Sequence, residues 1–280
     1  MNAQPITVRK LEVPPTEPLP RNWFYGSAAH TALVDALCLL FPEGERFFIR
    51  SVRFYAERLE PELAGRVKGF AAQEAWHGRA HLQVADLLEA QGFEVRQSIL
   101  ERFARLGFGV IEPRFPPHLR LATTAAAEHL TAALAEVALG TPVLDGAAQP
   151  MRDLLRWHAV EELEHRAVAF DVLSAVDPRW RTRAGGMAIA MSVLVGFWAM
   201  GFRELRAQAK RLPPATTAET WVPPAERRRR PLRTALHLGR AIADYLRPRF
   251  HPSQRPLPPA MADWSPGVLN QVQSGAGGVA

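Results

Sequence analysis

From His30 to about Arg211, apolar residues recur every three or four positions, the spacing of one helix face, and runs of strict alternation are few. The pattern predicts helices near 30–59, 62–91, 97–107, 117–139, 147–175 and 184–210. Breakers separate them in "LEPEL", "AQGFE", "EPRFPP", "LGTPVLDG" and "VDPRW". Pro42 is expected to kink or restart the first helix, so that its second half begins near that residue. Residues 1–29, polar and proline-dotted at their start, read as an extended arm, and 30–211 as a helical bundle. Residues 212–280 read as a Pro-rich basic tail with one short helix near 231–247. The expected fold is all-α: a four-helix bundle with additional helices around it.

Polar residues interrupt the apolar stripes at a few places. In "RWHAVEELEHRAVAF" the stripe reads Leu154, His158, Glu162, His165, Ala169, Val172. Glu161 and Glu164 fall to its flanks, where a solvated helix face is expected. In "QEAWHGRAH" the stripe is Leu63, Val67, Phe70, Glu74, His77, His81, Val84, Leu88. Each helix therefore carries one E-x-x-H, Glu74/His77 and Glu162/His165, whose carboxylate and imidazole share a face and can reach one ion together. Left unpaired in a core, such groups would cost several kcal/mol each.

Two further carboxylates sit on inward stripes. Glu45 aligns with Phe48, Val52, Tyr55 and Leu59, and Glu128 with Leu121, Thr124, Thr131 and Ala135. One Glu from each of two helices plus E-x-x-H from each of two others is the donor set of a ferritin-like dinuclear centre. Glu45, Glu74, His77, Glu128, Glu162 and His165 are thus the expected metal ligands and catalytic residues. Four carboxylates and two imidazoles suit two ions of iron or manganese and permit zinc. A closed Cys-rich zinc site is excluded, because Cys38 is the single cysteine. His81 is expected behind the ligands or in a pocket, and His129 in a structural role. Thr124 and Thr131 are expected to ease helix packing, and Asp153 and Asp171 to orient imidazoles.

"FPEGERFF", "QEAWHGRAH", "AAAEHLTA" and "WHAVEELEHRAVAFDV" resemble the bacterial family of predicted metal-dependent hydrolases, from about residue 20 to "YLRPRFHP" near 252. Over the bundle alone they also resemble the ferritin-like di-iron N-oxygenases that act on p-aminobenzoate. The second resemblance implies a seventh ligand, His158, four residues before the last E-x-x-H.

Charge is unevenly placed along the 280 residues. Residues 1–202 hold 21 Lys and Arg against 23 Asp and Glu, and 203–280 hold 13 against 5, so the net +6 comes from the tail. The run 184–202, "AGGMAIAMSVLVGFWAMGF", carries no charge and has arginines on both sides. It is either a core or dimer helix or a segment that docks on a membrane, with Arg227–Arg230 meeting anionic lipid. No motif accompanies the arginines to suggest nucleic acid. One cysteine and no secretory signal pattern point to the cytoplasm, with membrane association left open.

The leading functional expectation is a di-iron enzyme that activates O2 to oxidise a small organic substrate, served by an external reductase. The alternatives are a metal-dependent hydrolase working through metal-activated water and a non-catalytic metal-binding protein.

Overall fold

A computed structural model describes residues 6–11, 19–217, 219–222, 231–259 and 261. Among them the architecture is all-α, with only two isolated β-bridges, Asn22 to Thr220 and Phe24 to Ala147. Eight α-helices follow one another: α1 (Ala28–Arg53), α2 (Pro61–Ala90), α3 (Ile99–Leu106), α4 (Pro117–Gly140), α5 (Met151–His165), α6 (Val168–Val176), α7 (Trp180–Ala209) and α8 (Pro231–Tyr245). A π-helical turn, Gly107–Ile111, extends α3. Serine side chains cap α1 (Ser27) and α3 (Ser98), and proline opens α2 and α4 at the position where its missing N–H costs nothing.

The four-helix bundle is made by α1, α2, α4 and the α5–α6 pair, in which α1 packs on α2 and α4 on α5 and α6. Its interior holds Phe70, Leu121, Leu154, Trp157 and Val172, all almost fully buried. Outside it, α7 lies along α1 and α4, and α8 covers α4. Close approach of α7 depends on small residues: a Cβ at Gly186 would stand 2.3 Å from the Ala122 carbonyl carbon, and one at Gly201 2.9 Å from Ala36 Cβ.

Two expectations about the helices change. α1 runs unbroken through Pro42. One lost backbone hydrogen bond is outweighed where a long helix is held by α2 on one side and α7 on the other. The helix expected over 147–175 starts only after Pro150 and is interrupted at Arg166–Ala167, directly after His165. Neither residue is a breaker by type, so nothing in the pattern marks this point; there the Arg166 side chain turns away to donate to the Arg255 carbonyl.

The described residues before α1, 6–11 and 19–27, lie on the bundle. Trp23 is wholly buried and its indole N–H donates to Asp35, while Thr31 accepts from the Phe24 amide. Arg227–Arg230 and all of 262–280 lie outside the described residues. α7 contains the apolar run 184–202 and is long and apolar enough to cross a membrane by length and composition alone; 28% of its most apolar window is buried.

Candidate dinuclear metal centre

Each helix of the bundle delivers side chains to one buried cluster. α1 brings Glu45, α2 Glu74, His77 and His81, α4 Glu128, and α5 His158, Glu162 and His165; all are at most 4% exposed. The register explains the convergence. A stripe that is apolar above and below the charged residues has to face inward, and it carries those residues with it.

The donors fall into two groups, each with its nitrogen and oxygen atoms within 4.8 Å of one another: Glu74, His77, Glu162 and His165 in one, and Glu45, His81 and His158 in the other. Glu162 links them, with an oxygen 2.8 Å from His158 Nε2 and 3.8 Å from His77 Nδ1. Glu74 lies 3.1 Å from His165 Nε2, and Glu128 3.0 Å from His165 Nδ1. His158 Nε2 stands 3.9 Å from Glu45.

Unanswered polar atoms give the test for a metal. Both oxygens of Glu45 and of Glu74, one of Glu128, and the ring nitrogens His77 Nδ1 and His165 Nε2 are buried without a hydrogen bond. Native interiors leave only a few such atoms orphaned per hundred residues, and scattered rather than together. Seven at one place, all lone-pair donors when His is neutral and Glu ionised, match what cations would satisfy. The donor set therefore fits two divalent ions.

Burial and crowding shift most of these groups from their ordinary values. Burial, then the charges of Glu162 and Glu128, pushes Glu45 well above the ordinary carboxylate range. Burial and the neighbouring Glu128 do the same to Glu74. Glu128 is raised by burial and by Glu162 to about 7. Burial also pushes Glu162 upward, but the hydrogen bond from His158 and the charge of His165 bring it below its usual value. Burial and neighbouring imidazoles push His77 well down, and burial and His158 do the same to His81, so both stay neutral and able to ligate. His165 resists its burial because Glu128 raises it to about 9.

Behind the cluster stand Glu161 and Glu164, two residues that stripe reasoning misplaced. Glu161, expected on a solvated flank, is fully buried; its carboxylate meets His77 Nε2 at 3.0 Å and also accepts from the backbone N–H and guanidinium of Arg9. Glu164, likewise expected in solvent, is half-buried, pairing with Arg9 and accepting from Gln73. A helix in mid-bundle is covered on its flanks as well as its inner face, and here the cover comes from the N-terminal segment. This carboxylate–imidazole pair would fix the His77 tautomer with Nδ1 free toward the cluster. His81 Nε2 sits 2.7 Å from His158 Nδ1 and steers that ring in the same way.

Other expectations resolve individually. His129 Nε2 meets the Ala241 carbonyl among Tyr245 and Phe250, a structural contact. Thr124 bonds Ser51, whereas Thr131 donates to Glu162 and so belongs to the cluster. Asp171 pairs with Arg66 and His251, and Asp153 with Gln149; neither orients a cluster imidazole.

The model of a family described as "Predicted metal-dependent hydrolase" matches residues 7–255. The chain belongs to that family. The match begins at the segment carrying Arg9 and ends at Arg255, which pairs with Glu136 on α4, so it takes in α1 to α8. Comparisons with curated proteins and with solved structures found no match.

Proposed function

We propose that this member of the hydrolase family is a two-metal enzyme that cleaves a carboxylic ester or amide beside the cluster. Glu45, Glu74, His77, Glu128, His158, Glu162 and His165 would hold the ions. The observation that carries this reading is the set of orphaned carboxylate and imidazole atoms pointing at one another in a closed interior. Two bound ions would polarise the substrate carbonyl and make water acidic near neutral pH. The chain's own part is positional. Glu161 holds the His77 ring by Nε2, His81 holds His158 by Nδ1, and Thr131 donates to one oxygen of Glu162, leaving the other toward the imidazoles. Packing by Phe41, Phe70 and Trp157 against these rings excludes bulk water, so each donor works in a medium of low dielectric.

A second reading, oxidation of an organic substrate by O2 at the same ions when they are iron, draws support from the apolar space beside the cluster. That space offers few polar groups to a tetrahedral oxyanion. It would require an external reductase.

The test counts metals bound per chain, then assays p-nitrophenyl esters without oxygen in the zinc-, manganese- and iron-loaded protein. Hydrolysis that needs metal and not oxygen supports the first reading. Turnover confined to Fe(II) with O2 supports the second, and absence of bound metal sinks both.

A basic tail that follows the apolar α7 in sequence also supports proposing that the protein docks on anionic membrane surfaces. Sedimentation with phosphatidylglycerol vesicles, set against neutral ones, tests it.

A further inference from the structure

Next to the cluster lies a cavity of about 210 Å3, walled by α1, α3, the π-turn, α4 and α7. Along α1 its wall runs from Leu37 to Phe48 and along α4 from Arg120 to Leu134. At 1.5 Å per residue these are roughly 17 and 21 Å of helix. Even about 150 Å3 suffices for a compact ring such as benzene in a dry apolar cavity. A volume only modestly larger, drawn out along two helices, makes a narrow channel. Its lining is hydrocarbon except for Thr123, Thr131 and the Glu112–Arg120 ion pair.

The channel and the cluster share walls. Gly44 and Ala127 line the channel, and the next residue of each helix, Glu45 and Glu128, belongs to the cluster. Thr131 lines the channel and donates to Glu162. The Phe41 ring forms another lining element and packs 4.6 Å from His81 and 4.5 Å from His158, centroid to centroid. Because Glu45 and Glu128 stand part-way along the two stripes, an occupant passes the cluster side-on. On the outer rim Leu106, Ile111 and Phe115 are exposed apolar residues, beside a π-turn whose Gly107 and Gly109 have open space where a Cβ would stand. Apolar residues exposed around the mouth of an apolar channel suit the entry of a water-insoluble molecule.

We propose that this channel is the substrate site and that its substrate carries an unbranched hydrocarbon chain. The inference rests on the metal-centre reading and adds the substrate class to it. A chain fits the narrow, elongated space, and burial of its methylenes against Phe47, Phe48, Phe108 and Leu130 supplies the binding energy. The bond to be transformed then lies beside Thr131, with apolar groups to either side.

The experiment displaces a fluorescent polyene fatty acid from the full-length, metal-loaded protein with n-alkanols from hexanol to hexadecanol. Binding is expected to tighten about three- to four-fold per added methylene and to level off once the channel is full. Gly44→Leu places a side chain where nothing lies within 4 Å of the new Cβ, and Val193→Trp plugs the channel from α7, a helix that gives the cluster no donor. Each should weaken hexadecanol binding about ten-fold or more, while Val193→Trp keeps its metal content and its cooperative melting. No dependence on chain length, a naphthalene-sized ring outcompeting hexadecanol, or full binding in a folded Val193→Trp protein would overturn the proposal. Metal content is measured separately, so loss of the metal reading and loss of the chain reading are distinct results.

Discussion

Arg9 and Glu161 are joined across 152 positions of sequence: the Arg9 backbone N–H and its guanidinium both donate to one Glu161 oxygen, 3.2 and 3.3 Å away. The other Glu161 oxygen meets His77 Nε2. An N-terminal residue thereby orients a cluster imidazole through a carboxylate. Burial raises Glu161 to about 7, against the opposing pull of Arg9.

Arg9→Met should therefore weaken metal retention about 10- to 100-fold, the usual cost of losing a partner behind a ligand. Glu161→Gln, which keeps a carbonyl for Arg9, should do less harm to stability but a similar harm to retention. Competition against a chelator of known affinity measures both. Unchanged retention in Arg9→Met would separate the N-terminal segment from the site.

Removing a donor should be felt directly. Glu128→Ala and Glu162→Ala are expected to lower bound metal from near two ions per chain to one or fewer, counted by elemental analysis. Stripping metal from the wild type should lower its melting temperature, because ions that bind only the folded state stabilise it. A metal-free protein that melts where the loaded one does would contradict this.

Away from the cluster, Asp35 has a pH signature. Burial lifts it from 3.8 to about 7, although the Trp23 indole N–H pulls the other way. A carboxyl raised on folding supports stability fully below its unfolded pKa and loses that support as pH rises through its folded one. Asp35→Asn accepts the same hydrogen bond without ionising. Its advantage over the wild type should grow from about pH 4 to pH 7 by up to 1.4 kcal/mol per unit and then level off. Urea midpoints at pH 5, 6, 7 and 8 give the curve, and parallel curves for the two proteins would refute it.

Two glycines of α7 make opposite predictions. Gly186→Ala drives a methyl into the Ala122 backbone and should destabilise by about 1–3 kcal/mol. Gly196→Ala meets nothing within 4 Å and should stabilise by about 0.5–1 kcal/mol. Denaturant midpoints of the pair test how closely α7 sits against α4.

The cluster was legible because burial and charge conflict on a helical stripe: Glu74, His77, Glu162 and His165 each sit where only apolar residues are otherwise tolerated. The same reasoning lost Glu161, since a helical wheel gives a direction and not the neighbour that covers it. That neighbour, Arg9, has no pattern of its own. The break after His165 was invisible because neither Arg166 nor Ala167 resists a helix by type. Pro42 misled for the opposite reason, since local propensity yields to packing on both sides of α1. The channel left no local trace either, because its walls come from five segments that sequence spacing cannot bring together.

α1 and α4 each present two neighbouring residues to two different tasks, Glu45 beside Gly44 and Glu128 beside Ala127. The rest of the channel comes from α3, the π-turn and α7, none of which contributes a donor to the cluster. The fold therefore lets α1 and α4 serve both the cluster and the channel, while α3, the π-turn and α7 serve the channel alone. Under the proposed channel reading, substitutions in α3 and α7 would alter what fits the channel while leaving every cluster donor in place.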